Sequence, residues 1–524
     1  MRTDSRNLPT SCLIAGVLFS TVLAGAASDA PGASSDNGQV AARIQRVENG
    51  VPSISLGVEK LPLRLNIARL MEIYKVPAVS VAVIDNFKIA WAKAYGVTEA
   101  GGTSPVTTHT LFQAGSVSKT VAATGALWLV ERGKLSLDED VNQKLVTWKV
   151  PENEFTNSKD QKVTLRRLMS HSAGLTVHGF PGYAVGDPVP TLVQIFNGEK
   201  PANTAPIRVD SVPGSRFWYS GGGVTIEQQL MMDVSGQQFP QFMRATVLDK
   251  IGMSDSTYEQ PLPVERAAVA ASGTRVDGKV VPGKWHIYPE MAAAGLWTTP
   301  TDLAKFALEV ALSKQGKANH ILSEAMTRKM LTPQIEHVGL AFFLGQGGNP
   351  AAFGHDGDDE GFQAELLMFA DSGKGVAVMA NSENGLALAS HLVQSIAREY
   401  GWNYTSEENA SDLLWLVASA RGTQTAMQKY AQLKKSSPKE LDENTLIQLA
   451  YRTLFAGKVD EAIQVFKVEV QDYPNYWNAY DSLGEAYMNA KRNDLAIENY
   501  EKSIALKPDN QNGIDMLKKL RAQK

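Results

Sequence analysis

AVSVAVIDNFKIAWAKAYGV, residues 78–97, contains two runs of valine, isoleucine and other apolar residues with the turn signal Asp85-Asn86 between them. Runs of this composition on either side of a short polar turn predict a β-hairpin. A second stretch of the same form, QAELLMFADSGKGVAVMA (363–380), has Asp-Ser-Gly-Lys at its centre and predicts a second hairpin. The two hairpins lie near the two ends of a long structured segment, so both ends are expected to complete one antiparallel sheet.

Helical patterns lie beside and between the predicted hairpins. Apolar residues recur with helical spacing in LRLNIARLMEIYKV (63–76), in TVAATGALWLVERGKLSL (120–137) and in the closing stretch GLALASHLVQSIAREYGW (385–402). Strands at both ends with helices between them predict an α+β fold for residues 60–402, in which the antiparallel sheet packs against a helical region.

The composition is that of an ordinary globular protein without a strongly charged partner. The chain has 524 residues, of which 44% are hydrophobic and 20% charged, and its formal net charge is −4. This length predicts two or three domains. Because there is no basic tract, neither nucleic acid nor an anionic membrane surface is a predicted partner. The eight histidines show no ligand spacing, so we predict no metal and no other cofactor.

Residues 1–27 have the features of a secretory signal. An apolar run follows a short segment with two arginines, and Ala-Gly-Ala at 24–26 supplies the small residues that a signal peptidase accepts. The run is shorter than the ~20 residues of a membrane-spanning helix, although retention as an uncleaved anchor stays open. The only cysteine, Cys12, lies inside this segment, so the mature chain would have no thiol. We expect an exported protein, periplasmic or secreted, without a stable membrane span after signal removal, and the small, polar residues 28–59 predict a linker.

The C-terminal part contains an internal repeat. Residues 441–524 superimpose on themselves at a period of 34, which places Leu449 on Leu483 and Pro474 on Pro508. This period and the L-G-x-x-Y pattern resemble the tetratricopeptide repeat. We therefore predict an all-α repeat region, joined to the large domain by a helical linker over 403–440. Two alternatives stay open for these repeats: they extend the fold, or they bind a protein partner.

The stretch AGSVSKT (114–120) precedes a mostly apolar, hence buried, helix and carries the pattern S-x-x-K. In one interpretation, Ser116 caps the helix and Lys119 is an ordinary solvated residue. In the other, Ser116 is a nucleophile, and Lys119, one turn further on the same face, helps to remove its proton.

Two further stretches offer the groups that a nucleophilic serine needs. PGSRFWYSGGG (213–223) places Tyr219 beside small residues, and a phenol held next to a lysine in a partly buried cleft could exchange a proton with it. FGHDGDDEGF (353–362) directly precedes a predicted strand, whose edge could donate a backbone N–H to an oxyanion hole together with the N–H of Ser116. His355 would face the substrate from that strand.

These stretches together resemble the serine β-lactamase and penicillin-binding-protein superfamily, with AGSVSKT as S-x-x-K, YSG (219–221) in the place of Y-x-N and HDG (355–357) in the place of K-T-G. LRRLMSHSAGL (165–175) and AAAGLWTTPTDLAKF (292–306) are similar to segments of its class C-like branch, which includes family VIII esterases and D-amino-acid peptidases. The resemblance covers about 60–402 and implies a β-lactamase/transpeptidase-like fold.

The resemblance also implies a role for each matched residue. Ser116 would be the acylated nucleophile, Lys119 its proton partner and Tyr219 the general base or acid. The substrate-binding and oxyanion roles would belong to three residues of the third stretch: His355, Gly357 and Asp358. His171 would be structural and bond its own turn.

The chain departs from the family pattern at two places. Gly221 stands where lactam-cleaving relatives have the asparagine that holds the substrate amide, and four acids at 356–360 would repel a substrate carboxylate. A calcium loop is excluded there, because Leu367 stands at the position of the expected glutamate. We therefore expect a serine hydrolase acting on a small or peptide-like ester, amide or peptide, rather than an efficient β-lactamase. The alternative is a catalytically silent exported scaffold that acts through its repeats.

Overall fold

The computed structural model describes residues 31–54, 63–404 and 410–522. The predicted secretory signal, 1–27, lies outside the described residues. None of the helices within the described part combines the length and the apolar character needed to cross a bilayer.

Twelve strands lie within the described ranges. They are β1 Val51–Ile54, β2 Leu63–Leu65, β3 Ala78–Asp85, β4 Lys88–Gly96, β5 Phe112–Gln113, β6 Tyr183–Ala184, β7 His286–Ile287, β8 Trp297–Thr298, β9 Phe343–Leu344, β10 Ala352–Asp359, β11 Phe362–Phe369 and β12 Lys374–Ala380.

Nineteen α-helices lie within the same ranges. They are α1 Pro31–Asn49, α2 Ile67–Tyr74, α3 Val117–Glu131, α4 Leu165–Met169, α5 Leu192–Asn197, α6 Gly221–Ser235, α7 Phe239–Met243, α8 Val264–Ala267, α9 Met291–Ala294, α10 Pro300–Lys314, α11 Glu324–Met330, α12 Gly385–Glu399, α13 Ala410–Arg421, α14 Thr423–Ser436, α15 Thr445–Phe455, α16 Val459–Asp472, α17 Trp477–Asn489, α18 Asn493–Leu506 and α19 Gln511–Ala522.

Six strands form one antiparallel sheet in the order β4-β3-β12-β11-β10-β9. The two predicted hairpins are β3–β4 and β11–β12, and they pair through β3 and β12, with Val81 opposite Val378. Both ends of the domain thus complete the sheet, as the sequence predicts. The first turn is at Asn86-Phe87, one residue later than predicted, and both residues have positive φ, which suits the twist of a two-residue hairpin.

Both faces of this sheet are buried. Along β3, Ala82 and Ile84 belong to the apolar core on one face, whereas Val81 and Val83 belong to the core on the other face. Helices α10 and α12 pack on opposite faces, and α3 contacts β10 and β11. This arrangement explains why the strands are almost continuously apolar instead of alternating.

The N-terminal segment differs from its prediction. The sequence predicts a linker over 28–59, but α1 is a helix that packs against α12. Val47 is buried on that side, and the guanidinium of Arg46 donates two hydrogen bonds, of 2.9 and 2.7 Å, to Glu399. A few apolar residues at helical spacing are enough to dock this segment, although its average composition is polar.

The C-terminal region is all-α, as predicted, and consists of consecutive antiparallel helix pairs. The bounds of α16 and α18 differ by 34 residues at both ends. Leu449 and Leu483 are both buried, and Tyr500 packs over Gly484, where an added Cβ would lie 3.2 Å from the ring. Assignment of these pairs to the tetratricopeptide repeat stays a prediction.

Candidate active site

Ser116 and Lys119 lie at the start of α3 and are in direct contact. The Nζ of Lys119 donates a 2.7 Å hydrogen bond to Ser116 Oγ and a second one, also of 2.7 Å, to the carbonyl oxygen of Ala293. Ser116 stands at the N-cap position, but its side chain caps no backbone N–H. The interpretation of Ser116 as a simple helix cap is therefore wrong, and its hydroxyl is held by the amine.

The surroundings of this pair are buried and mostly apolar. Helix α3 is buried over almost its whole length, including Lys119, which is only 3% exposed, whereas Ser116 is half-buried. The chain enters the helix from β5, which pairs with β8, and the N–H of Ala114 donates to Leu296. Ser116 is therefore partly accessible to solvent, whereas the amine that contacts its hydroxyl is buried.

Tyr219 approaches the same pair from the loop before α6. Its ring centroid is 5.2 Å from Lys119 Nζ, and the ring is half-buried. The Tyr219 hydroxyl makes no hydrogen bond with another described residue, so it is free for a substrate group or water. The structure thus brings Ser116, Lys119 and Tyr219 together from two distant parts of the chain.

His171 holds the Tyr219 loop in place. Its ring packs against the Tyr219 ring with centroids 4.2 Å apart, its Nδ1 accepts the N–H of Ser220 at 3.2 Å, and its carbonyl accepts the N–H of Trp218 at 2.6 Å. Burial and the nearby Lys119 lower the pKa of His171 well below its ordinary value, so the ring is neutral. The ring and the carbonyl of His171 thus bond the tyrosine loop, whereas the expected bond to its own turn is made only by its backbone N–H, which donates to Leu168 at 3.2 Å.

Strand β10 touches the backbone around Ser116. A Cβ added to Gly357 would lie 1.9 Å from Ala114 O and 3.3 Å from Ser116 N, and a Cβ added to Gly115 would lie 2.4 Å from Asp358 N. The backbone nitrogens of Ser116 and Asp358 therefore flank the same small space. Two N–H groups in such a position can stabilise the negative oxygen of a tetrahedral intermediate.

His355 does not face an open cleft, in contrast to the expectation. Its side chain lies on the inner face of β10 and is 3% exposed; Nδ1 is bonded to Asp356 O at 2.5 Å, and Nε2 has no partner among the described residues. Burial, with the charge of Lys119, lowers the pKa of His355 to about 3. His355 is therefore neutral and supplies no positive charge to a substrate carboxylate.

Gly221 is the first residue of α6, and a neighbouring loop occupies the space beside it. A Cβ at this position would lie 3.0 Å from the Phe180 ring and 3.1 Å from His178 O. An asparagine side chain would need still more room in that direction. The loop that carries Phe180 thus takes the place of the side chain that is missing from the Y-x-N motif.

Two buried acids near Lys119 or Asp359 were not predicted as site residues. Asp359, on β10, is 5% exposed, and Glu290, at the start of α9, is fully buried; neither carboxyl is hydrogen-bonded to another side chain among the described residues, and the backbone N–H of Gly115 lies close enough to Asp359 to favour its charged form. Burial raises the pKa of Glu290 to about 8 and that of Asp359 well above its ordinary range. The sequence shows Asp359 only as one acid in a run of four, and nothing in it connects that residue with Glu290.

The arrangement has the parts that acyl transfer requires. The hydroxyl of a half-buried serine contacts an amine, the ring of a tyrosine lies 5.2 Å from that amine, and two backbone nitrogens flank the same small space. Within the described ranges, no group of three or more His, Cys, Asp or Glu side chains is placed to hold a metal ion.

Comparison with known proteins agrees with this geometry. The sequence model of the family described as "Beta-lactamase" matches residues 63–398. A β-lactamase from Pseudomonas fluorescens is 29% identical over 240 residues, which is 45% of this chain. The chain spans only 60% of the length of that relative.

Solved structures share the fold. The octameric penicillin-binding protein homologue from Pyrococcus abyssi is 25% identical, with a TM-score of 0.51 over 64% of this chain and 77% of that chain. A class C beta-lactamase mutant is 22% identical and has a TM-score of 0.51 over 63% of this chain and 94% of its own. The second likeness concerns the fold alone.

Proposed function

This chain belongs to the beta-lactamase family of serine hydrolases, and on that premise we propose that Ser116 forms a covalent acyl-enzyme with an ester, amide or peptide-like substrate. The observation that carries the proposal is the 2.7 Å hydrogen bond between Lys119 Nζ and the hydroxyl of a half-buried serine. A hydroxyl in contact with an amine becomes a nucleophile when the amine takes its proton.

The reaction would proceed in two balanced steps. In acylation, the proton of Ser116 Oγ passes to the Lys119–Tyr219 pair, Oγ bonds to the carbonyl carbon, and the leaving alcohol or amine departs with the proton. In deacylation, water attacks the ester carbonyl, the acid product leaves, and the water proton returns to Ser116. The N–H groups of Ser116 and Asp358 would stabilise the oxyanion in both steps.

The substrate is proposed to be a neutral or cationic acyl compound rather than a β-lactam with a carboxylate. Three features support this choice. His355 is uncharged, the residues that follow it include Asp356 and Asp358, and Gly221 has no side chain to hold a substrate amide. A substrate carboxylate would meet like charge at this strand. From the predicted signal, we also propose that the reaction takes place outside the cytoplasm.

Labelling with a fluorophosphonate probe tests the nucleophile. We expect the wild-type protein to be labelled and Ser116→Ala to be silent. Lys119→Ala should slow labelling by about 10²-fold or more, because loss of a general base typically costs that much. A folded wild-type protein that is never labelled would favour the silent scaffold.

A side-by-side substrate test separates the activities within the family. We would measure kcat/KM for p-nitrophenyl acetate, nitrocefin and a D-alanyl dipeptide amide with the same preparation. Hydrolysis of the ester or the amide should exceed hydrolysis of nitrocefin by about tenfold or more. Equal rates on all three would contradict the argument from Gly221.

A further inference from the structure

The buried amide of Gln228 joins the helix that follows Tyr219 to the segment that contacts Lys119. Gln228 lies in α6 and has no exposed surface. Its Nε2 donates a 3.1 Å hydrogen bond to Pro289 O, and its Oε1 accepts the N–H of Ala292 at 2.8 Å. A carbonyl oxygen can only accept and a backbone N–H can only donate, so these two partners fix the orientation of the amide.

These two bonds stabilise the start of α9. The first N–H groups of a helix have no partner within it, and the N–H of Ala292 is one of them. Helix α9 has only four residues, so it is not expected to keep its position by itself. Pro289 and Ala292 are both buried, and buried backbone groups require hydrogen-bond partners. Gln228 therefore fixes α9 against α6.

Helix α9 in turn supplies a carbonyl group to Lys119. Ala293 directly follows Ala292, and its carbonyl oxygen accepts the 2.7 Å hydrogen bond from Lys119 Nζ. Among the described residues, the only other hydrogen-bond partner of this amine is Ser116 Oγ. A neutral amine whose N–H is held by a fixed carbonyl does not rotate freely, so its lone pair can stay directed at the serine hydroxyl. The position of Ala293 O therefore controls how well Lys119 can take the proton of Ser116.

We propose that Gln228 is a positioning residue of the hydrolytic reaction, which holds α9 so that Ala293 O orients the amine of Lys119 towards Ser116. The inference rests on the proposed function, because it assumes that Lys119 takes the proton of Ser116 Oγ. Since α6 also follows the Tyr219 loop directly, this one helix locates both groups that lie beside the amine.

A double-mutant cycle tests whether Gln228 acts through Lys119. We would measure the rate of fluorophosphonate labelling for the full-length wild type, Gln228→Met, Lys119→Ala and the double variant. Methionine is unbranched like glutamine but has no amide. Gln228→Met should slow labelling by about tenfold or more, because small displacements of a catalytic group have large effects on the rate. In the Lys119→Ala background, the same change should slow labelling by less than about twofold, because the amine that Ala293 O orients is absent.

Two outcomes of the cycle would overturn the proposal. Equal slowing in both backgrounds would mean that Gln228 supports the fold without acting through the amine, and labelling of Gln228→Met at the wild-type rate would mean that it has no role. Circular dichroism checks that each variant is folded. If Gln228→Met does not fold, Gln228→Asn takes its place in the cycle with the same expectations, because an amide one methylene shorter reaches at most one of the two partners in α9 and the residue before it.

Gln229→Met is the matched control. Gln229 is the next residue of α6, is 4% exposed, and donates a 2.9 Å hydrogen bond to Asp233 and not to α9. The same loss of a buried amide should therefore change labelling by less than about twofold. A tenfold loss at this position as well would show that the contact with α9 is not what matters, and it would contradict the proposal.

Gln228→Glu tests the two hydrogen bonds themselves. Burial disfavours the charged form of a carboxyl, and a protonated glutamate can accept the N–H of Ala292 and donate to Pro289 O as glutamine does. At pH 6, labelling of this variant should stay within about threefold of wild type, whereas Gln228→Met should be slow at the same pH. A rate as low as that of Gln228→Met would mean that these bonds do not position α9.

The wild-type protein distinguishes failure of this inference from failure of the proposed function. If the wild type is labelled and Gln228→Met is labelled equally fast, only the positioning role is wrong. A folded wild type that is never labelled contradicts the proposed function itself.

Discussion

Beside Ser116, two glycines bring two backbone segments closer than any side chain would permit. A Cβ on Gly357 would overlap Ala114 O, and a Cβ on Gly115, which has φ +50°, would overlap Asp358 N. The N–H groups that flank the space above Ser116 are thus positioned by backbone contact and not by a side chain.

Gly357→Ala is expected to destroy this contact. The added Cβ would lie 1.9 Å from a carbonyl oxygen, so β10 must move away from the nucleophile. We expect the rate of fluorophosphonate labelling to fall by about 10²-fold or more, the typical loss when one oxyanion donor is removed. Gly179→Ala is the control, because a Cβ there meets nothing within 4 Å. Unchanged labelling of Gly357→Ala would refute the role of this contact.

Glu227, a buried residue of α6, gives a prediction about pH. Burial raises the pKa of its carboxyl from 4.5 to about 8, so the folded chain keeps a proton that the unfolded chain loses. Its contribution to stability is fully present below pH 4.5 and is lost as the pH rises towards 8. Glu227→Gln removes this loss of stability. The unfolding free energy of the variant minus that of the wild type should therefore increase with pH, by up to about 1.4 kcal/mol per pH unit between pH 5 and 8.

Urea unfolding of both proteins at pH 5.5 and 7.5 measures this difference. Only the change with pH is compared, because other buried acids contribute equally to both proteins. Glu154→Gln, at an exposed position, should show no comparable trend. An effect of Glu227→Gln that is the same at both pH values would mean that Glu227 is ionised in the folded protein.

The sequence predicts part of this site because the information is local. S-x-x-K places Ser116 and Lys119 on one face of a helix, and any helix brings them together. The surroundings of the buried Asp359 are not local, since Lys119 and Glu290, whose charges affect its pKa, belong to other elements. The burial of His355 was missed for a similar reason: the side of β10 that faces inward depends on how the sheet packs against α3.

At the level of elements, the two hairpins could be predicted and α1 could not. A hairpin needs only a turn signal between apolar runs. Helix α1 has few apolar residues, and it is stabilised by docking onto α12, which lies far along the chain. A composition-based reading of residues 31–49 as a linker therefore fails.

Val47→Ala tests the docking of α1. Val47 is 1% exposed, so removal of two methyl groups should lower the unfolding free energy by about 2 kcal/mol. Arg46→Ala is the neighbouring control, because its ion pair with Glu399 lies at the surface, where solvent screens it, and should contribute less to stability than the buried Val47 side chain. Urea unfolding checks both values, and equal effects would show that α1 is not held by its apolar face.

In the whole molecule, one apolar cluster extends from the outer face of the sheet through α2 and α12 into the C-terminal helices. Trp415 of α13 illustrates the connection: its ring lies 4.8 Å from the Tyr74 ring of α2, and the guanidinium of Arg452 lies over it at 5.0 Å. The 34-residue period predicts helix pairs but contains no information about what they pack against. The continuity of the cluster could therefore not be derived from the sequence.

Trp415→Ala is expected to destabilise both α2 and α15, because the Trp415 ring contacts Tyr74 of α2 and Arg452 of α15. It should lower the unfolding free energy by about 2 kcal/mol and increase amide hydrogen exchange in both α2 and α15. Trp477→Ala, in α17, should increase exchange only in the surrounding C-terminal helices. If exchange in α2 does not change in Trp415→Ala, the two regions are stabilised separately.

The contrast between the backbone contacts of β10 and the side chains that follow them has a consequence for how this protein could evolve or be redesigned. The reactive geometry depends on main-chain atoms of Gly115 and Gly357, which almost any replacement would spoil. The side chains of Asp358 and Glu360, in contrast, are at least partly exposed, and no such backbone contact depends on them. Under the proposed function, substrate preference is therefore expected to change more readily through these two positions than through the glycines, and a small combinatorial library limited to their two codons would test this.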